Sequence, residues 1–343
     1  MKAQVKSKLN LDERVALEEV IPLETPFLLY VDPSSACNFR CQFCPTGHKY
    51  LLKASNYKRS VMNFPLFEKL IDDLAAFPNP LKVMRMNKIG EPLLNKKLAS
   101  MIALAKRSGR VQYIDLATNA SMFSPTLLSR LVEAGLDRLN ISLEGINSEQ
   151  YKQNAKVDID FDQLVANIRW LFSNRGDCEV TIKIPANYVD ERQRAQFFDT
   201  FGDYCDRIFI EELAPIWPQF DVEKRAGIVV HDMRGQYQQK PDEKAVCTYI
   251  FYAMAINSDG TVSACCPDWD QKLLVGDLKR ESLRDIWNSD ALVALRKLHL
   301  QGKRYMNPIC RDCGHIKYSQ VDNIDAHRHA LLERISAVSA VVD

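Results

Sequence analysis

The chain has no apolar run long enough to span a membrane. Its first residues, MKAQVKSKLNLDERVALEE, carry charge where a secretory leader would carry an apolar core. It has almost no net charge, since 45 basic residues against 44 acidic ones leave +1. No global field therefore draws it onto nucleic acid or an anionic membrane, and neither is expected as a partner. There is no low-complexity tract and no internal repeat beyond a βα alternation. These absences leave a globular protein expected in the cytoplasm, and a hydrophobic content of 46% is ordinary for that class. A length of 343 residues gives room for one large domain and a small one.

Cysteine is abundant. Ten in a chain of this kind point to metal rather than to disulfides. Cys37, Cys41 and Cys44 follow the spacing C-x3-C-x2-C within ACNFRCQFCPTG, with Phe43 before the last. Thiolates in a short loop suit an iron–sulfur cluster. A [4Fe–4S] cube normally takes four, so three leave one iron open, as a catalytic metal centre requires. A zinc loop is the plainer alternative; it needs a fourth ligand, for which His48 is the nearby candidate.

Residues 27–31, FLLYV, read as a buried strand leading straight into this loop. Strand-type stretches then recur at 81–86, 111–117, 136–143, 178–184 and 207–213. Helix-type stretches at 64–76, 98–107, 124–134, 161–174 and 192–204 separate them. Pro65 in a first turn, Ser124 as a cap, and Gly109 and Gly135 beyond helix ends mark the boundaries. The alternation predicts an α/β fold with a parallel sheet, right-handed crossovers and strands buried on both faces. An open sheet and a barrel both satisfy it. In either, ligands gather at the C-terminal strand ends, where the cysteine loop sits. A short amphipathic helix is expected over 9–22, a linker over 215–246 with Pro215, Pro218 and Pro241, and a final helix within 319–343 docked on the barrel.

A second cysteine set follows the linker. Cys247 and Cys265 frame Gly260 as C-x12-G-x4-C, and Cys310 and Cys313 form a late C-x2-C. Apolar stretches on either side of Asn257–Ser258–Asp259–Gly260 read as a hairpin that brings Cys247 and Cys265 to one end. Four thiolates make a closed site for zinc or a [4Fe–4S] cube. Cys178 and Cys205 read as core residues, Cys266 fits the spacing less well than Cys265, and His315 reads as a neighbour of the site or a surface residue.

The first loop resembles the motif of the radical S-adenosylmethionine (SAM) superfamily. The resemblance implies that the open iron chelates the amino and carboxylate groups of SAM. One electron then cleaves the sulfonium, and the 5′-deoxyadenosyl radical takes a hydrogen atom from substrate. It selects a partial (β/α)6 barrel over residues 27–214, after an N-terminal helical segment over 1–26. Ile89-Gly90-Glu91-Pro92 resembles the family's Gly-Gly-Glu motif, with Ile89 in place of the first glycine, and implies SAM contacts from Gly90 and Glu91. Thr118-Asn119 resembles the family's Thr-Asn-Gly turn, with Ala120 in place of glycine. Ser142 and Glu144 match positions near the SAM ribose, and strand alternation puts both on one face. Phe43 completes the SAM set. Lys183, Asn187, one of Glu211 and Glu212, Arg85 and Asn87 are further strand-end candidates for SAM or substrate. For Arg85 an ion pair at the barrel rim is the simpler reading.

The second set resembles the start of a SPASM domain, as does Gly276-Asp277-Leu278 through Asp285-Ile286-Trp287-Asn288-Ser289. No cysteine follows Cys313, and Ser319 stands where the next would fall. The resemblance is therefore to the shortened twitch form, a β-hairpin plus helix over 247–318. It implies one auxiliary [4Fe–4S] cluster on Cys247, Cys265, Cys310 and Cys313. The cofactors implied are two [4Fe–4S] clusters and SAM as co-substrate.

The expected activity is that of a radical SAM oxidoreductase. It would dehydrogenate a small polar metabolite, such as a sugar, aminocyclitol or nucleotide sugar, with the auxiliary cluster as electron acceptor. The architectural parallel is the radical SAM aminocyclitol dehydrogenases, and the partner implied is a flavodoxin or ferredoxin-type electron donor. An epimerase or dehydratase fits the same scaffold. A maturase of ribosomal peptides is disfavoured because fewer than thirty residues precede the first strand. A non-enzymatic iron–sulfur scaffold or redox sensor is disfavoured by the open-iron loop and the SAM-like strand ends.

Overall fold

Among the described residues ten strands form one sheet: β1 (Gln4–Val5), β2 (Leu28–Val31), β3 (Leu81–Arg85), β4 (Val111–Thr118), β5 (Arg138–Ser142), β6 (Glu179–Pro185), β7 (Arg207–Glu211), β8 (Ala253–Ile256), β9 (Thr261–Ser263) and β10 (Leu274–Asp277). The computed structural model describes residues 1–7, 9, 14–230 and 234–339. Strand order is β1-β7-β6-β5-β4-β3-β2-β8-β9-β10. The six strands expected from the apolar runs are β2–β7, and each pairs in parallel with its neighbour. The fold is the α/β parallel barrel type expected, with a C-terminal hairpin and helices. That hairpin does not form a separate layer. β8 pairs in parallel with β2 and extends the barrel's own sheet, and β9 and β10 follow antiparallel.

Both faces of the sheet are largely buried, as expected, but they differ in chemistry. Leu29, Met84 and Ile114 lie side by side in register, as do Ile141, Ile182 and Ile208, and all six are fully buried. The opposite face carries the row Tyr30, Arg85, Asp115, Arg138 and Glu179. Helices cover only the first face, so only that face needs to be apolar. The second lines the barrel interior, and its upper positions reach Ser142, Lys183 and Glu211.

Local chemistry sets the helices. Asn63, Ser124 and Asp160 accept the backbone N–H of Leu66, Leu127 and Gln163, capping Phe64–Asp73, Pro125–Glu133 and Phe161–Asn174. Asp190 and Gln193 form a reciprocal capping box for Glu191–Phe201. Leu98–Arg107 and Phe161–Asn174 have the bounds that periodicity predicts. An additional helix, Ser148–Asn154, has one buried residue, Tyr151, and no stripe to announce it.

Three peripheral expectations change. The helix over 9–22 is a single turn, Leu17–Val20, stopped before Pro22; residues 10–13 lie outside the described residues. The chain start instead adds β1 alongside β7. The final helix, Arg328–Ser339, packs on Asp290–Leu300, and Arg334 Nη1 donates to the carbonyls of Glu18 (2.8 Å) and Ile21 (3.2 Å). It docks on the auxiliary region and the N-terminal turn rather than on the barrel. The described part of 215–246 is a packed strap: Gln236 Nε2 donates to Glu211 Oε1 (3.0 Å), and Gln236 N–H donates to the Tyr318 carbonyl (2.7 Å).

Candidate active site

The cysteine loop leaves the end of β2 and is fixed from several sides. Arg40 N–H donates to the Ala155 carbonyl (2.8 Å), and Glu91 N–H donates to the Ala36 carbonyl (2.8 Å). Gly90 sits where a Cβ would come within 2.0 Å of the Ser34 carbonyl oxygen, so only glycine allows this approach. Gly47 is in the same position against the Cys41 carbonyl, at 2.3 Å. Phe39 N–H points at Cys37 Sγ (3.4 Å), and Thr46 Oγ1 lies 3.2 Å from Cys44 Sγ. His48 uses Nε2 on the Gln42 carbonyl (2.8 Å) and stays out of the cavity wall, so it does not supply a fourth ligand.

Cys37, Cys41 and Cys44 open onto one cleft of about 900 Å³ at the C-terminal strand ends. Phe43, Gly90 and Glu91 line it, as do Thr118, Asn119, Ser142 and Glu144. Every cysteine and SAM-contact residue singled out for this site in the sequence thus meets in one cavity. Glu91 has a further task. Its Oε1 accepts from Thr118 Oγ1 (2.6 Å) and Leu93 N–H (3.0 Å), and its Oε2 from Asn119 N–H (2.8 Å). It therefore clamps the Thr118–Asn119 turn and keeps acceptor capacity on Oε2 for one more donor. Ala120, at the position that is glycine in the Thr-Asn-Gly motif this turn resembles, takes the left-handed conformation at φ 61°. Asn119 Nδ2 reaches back to Asn38 in the cysteine loop (2.9 Å).

The remaining candidates separate. Asn87, Lys183 and Glu211 line the cleft, and Lys183 and Glu211 form an ion pair. Arg85 does not: its Nε and Nη2 hold Asp115 at 2.7 and 2.6 Å, the ion-pair reading. Asn187 is exposed in a 3-10 turn, and Glu212 lies outside the lining, since the acid before it faces in. Several lining residues went unread in the sequence, Trp217 and Lys88 among them. Trp217 comes from the strap, and Lys88 from the turn after β3. Neither lies in a motif, and both are identified only by what the fold brings opposite them.

Electrostatics make the cavity suited to a positively charged centre. Burial pushes Cys37 up to about 12 and raises Cys41 and Cys44 as well. Burial also lifts Glu144 to about 8, against the pull of Lys183, and Glu144 Oε2 is buried with no hydrogen-bond partner. Negative charge is thus disfavoured at four neighbouring groups until a cation arrives. Among the described residues, no three His, Cys, Asp or Glu side chains converge as one metal ion would require. The thiols surround a space instead, which fits a multi-iron cluster.

The second set also converges. Cys247, Cys265, Cys310 and Cys313 line one small apolar cavity of about 360 Å³, with His299 and Arg304 among its walls. Gln320 Nε2 lies 2.9 Å from Cys247 Sγ. Cys266 is not part of the lining, and Cys178 and Cys205 are buried core residues. His315 is buried, edge-on to Tyr249 with ring centroids 4.6 Å apart, rather than at the surface. Burial and Arg304 hold the His299 imidazole neutral, down to about 3.

A family model of the radical SAM superfamily matches residues 31–196, and one of the SPASM iron–sulfur cluster-binding domain matches 247–314. A tungsten-containing aldehyde ferredoxin oxidoreductase cofactor-modifying protein of Pyrococcus furiosus is 23% identical over 330 residues, 83% of this chain and 86% of its own. An S-adenosyl-L-methionine-dependent 2-deoxy-scyllo-inosamine dehydrogenase of Niallia circulans is 20% identical over 303 residues, 87% of this chain and 96% of its own. The crystal structure of BtrN with AdoMet and 2-DOIA superposes with a TM-score of 0.54 at 17% identity, covering 87% of this chain and 97% of that one, which shows a shared fold.

Proposed function

Because the chain belongs to the radical SAM superfamily and carries a SPASM-type iron–sulfur domain, we propose that this radical SAM enzyme dehydrogenates a small polar metabolite. The observation that carries the reading is a second, closed four-thiol cavity beside a cleft whose far wall is polar. Cys37, Cys41 and Cys44 would hold one cluster, whose chemistry would be one-electron reduction of SAM, and Cys247, Cys265, Cys310 and Cys313 would hold a second able to accept an electron.

The protein's own groups have definable parts. Glu91 and the turn it clamps present backbone and side-chain polar atoms to the SAM methionine end. Ser142 and Glu144 stand at the ribose. Phe43 and Trp217 supply apolar wall that keeps water from a reactive carbon-centred radical. Oxidation of a hydroxyl-bearing carbon would transfer one hydrogen atom to the 5′-deoxyadenosyl radical, giving 5′-deoxyadenosine, and then release one proton to a base and one electron to the auxiliary cluster. Glu211, a carboxylate in the cleft held by the Lys183 ammonium, is the base available to take that proton. The similarity to a scyllo-inosamine dehydrogenase supports a hydroxylated, amine-bearing ring as the substrate class.

The electron donor would meet the outer side of the cysteine loop. Residues 33–67 contain no Asp or Glu, and Arg40, Lys49, Lys53, Lys58 and Arg59 are all exposed there. That surface suits an acidic flavodoxin or ferredoxin. A cysteine pattern that reads as cluster ligands rather than disulfides supports a reducing compartment such as the cytoplasm. Among the described residues no helix is long and apolar enough to cross a membrane.

Anaerobic incubation with SAM, reductant and pools of sugars, aminocyclitols and nucleotide sugars tests the proposal. A product two mass units lighter than its substrate, formed with 5′-deoxyadenosine, is expected. An isobaric product would replace dehydrogenation with epimerisation.

A further inference from the structure

His299 lies on the helix Asp290–Leu300, in none of the motifs, and is fully buried. Its Nδ1 accepts the backbone N–H of Cys247 at 3.2 Å. A ring nitrogen that accepts carries no proton, so the neutral imidazole keeps its one proton on Nε2. That Nε2 is buried and has no hydrogen-bond partner in the protein. The ring also lines the cavity shared by the four thiols. Buried donors are rarely left unmatched, and the acceptor here is something that occupies the cavity.

We infer that His299 donates a hydrogen bond from Nε2 to a sulfur of the auxiliary cluster and thereby raises its reduction potential. This rests on the reading of the four-thiol cavity as a [4Fe–4S] site. His299 is a donor and not a fifth ligand: ligation through Nε2 would move the ring proton to Nδ1, against the Cys247 N–H. Hydrogen bonds to cluster sulfur favour the more negative, reduced state and are among the features that set such potentials. Arg304 in the same wall and Gln320 beside Cys247 act in the same direction. A raised potential is what an acceptor needs if it is to draw an electron from an organic radical. His299 is a positioning and tuning residue; it does not touch substrate.

The test uses the full chain with Cys37, Cys41 and Cys44 changed to Ala, so that one cluster contributes the signal. Iron is counted first. No iron in this variant overturns the cluster reading, and the inference with it. With about four irons present, the protein is labelled with ¹⁵N-histidine, reduced and examined by pulsed EPR. A weak ¹⁵N coupling and a proton coupling that disappears in D₂O are expected. A strong, directly bonded nitrogen coupling, or none, overturns the role of His299 alone. In His299→Leu the coupling should vanish. At a fixed potential the ratio of reduced to oxidised cluster should fall about tenfold, equivalent to about 59 mV for one electron. His299→Gln, which keeps an N–H donor, should recover part of that loss. An unchanged potential in a cluster-loaded Leu variant overturns the inference, and the coupling in the unsubstituted histidine decides the matter if that variant does not load.

Discussion

The ammonium of Lys88 lies 2.9 Å from the backbone carbonyl of Asp268 and 2.6 Å from Asn257 Oδ1. Lys88 belongs to the wall of the cleft onto which Cys37, Cys41 and Cys44 open, and Asp268 follows Cys265 by three residues. One side chain thus ties the two cysteine sites together. Lys88→Met keeps the stem but strips the donors, leaving at least two acceptors unmatched. A loss of about 1–3 kcal/mol in stability is expected, read as a lower unfolding midpoint. The ratio of 5′-deoxyadenosine to product should rise, because cleavage of SAM survives better than its coupling to oxidation.

Changing Cys37, Cys41 and Cys44 together to Ala should abolish 5′-deoxyadenosine formation and leave about four irons of an original eight or so. Cys313→Ala should leave some SAM cleavage but stop product. Full product from a folded Cys313→Ala protein lacking its second cluster would remove the electron-acceptor role.

Ser142→Ala and Glu144→Gln test the ribose contacts. Each removes or weakens one hydrogen bond, worth about 0.5–1.5 kcal/mol net. SAM affinity should drop about threefold to tenfold per variant, measured by equilibrium binding to the reconstituted protein.

Asp32, at the end of β2, gives a pH prediction. Burial lifts its carboxyl to about 7, with Lys88 opposing. A raised carboxyl binds its proton more tightly in the folded state. Its contribution to stability is therefore complete below the ordinary carboxylate range and is lost as pH rises through about 7. Each pKa unit is worth about 1.4 kcal/mol. Asp32→Asn should flatten the decline in stability between about pH 4 and pH 7, measured by denaturant unfolding at each pH. A parallel decline in both proteins would place its origin elsewhere.

Salt should separate two ways of reducing the protein. With an acidic flavodoxin as donor, cluster reduction should slow by about tenfold or more from low to high ionic strength, because the exposed cations of residues 33–67 steer the encounter. With dithionite the dependence should be weak. Lys49→Glu combined with Lys53→Glu should reproduce the loss at low salt.

The barrel was legible because each strand and helix carries its own periodic pattern and caps, as Ser124 and the stretch 161–174 illustrate. The cysteines and the cleft residues were legible because chemistry fixes their spacing or their place at a strand end. What escaped depends on a distant partner. β1 is two residues long and exists because Arg207 and Ile208 accept it as a neighbour. Arg85 and Asn187 look alike as polar strand-end residues; only Asp115, placed in register beside Arg85, assigns one of them to an ion pair. The join between β8 and β2 leaves no trace in either strand's sequence.

That join has a mechanical consequence. Two modules connected only by a tether can drift, and a transfer rate that falls steeply with distance would then fluctuate with them. Here the strand leading to the first thiol loop and the strand following Cys247 are hydrogen-bonded neighbours over Leu28–Val31 and Ala253–Ile256, spaced by the fixed interval of about 4.8 Å between adjacent strands. The frames that carry the two thiol sites therefore move as one sheet, and under the proposed function an electron would travel between sites whose supporting strands are fixed side by side.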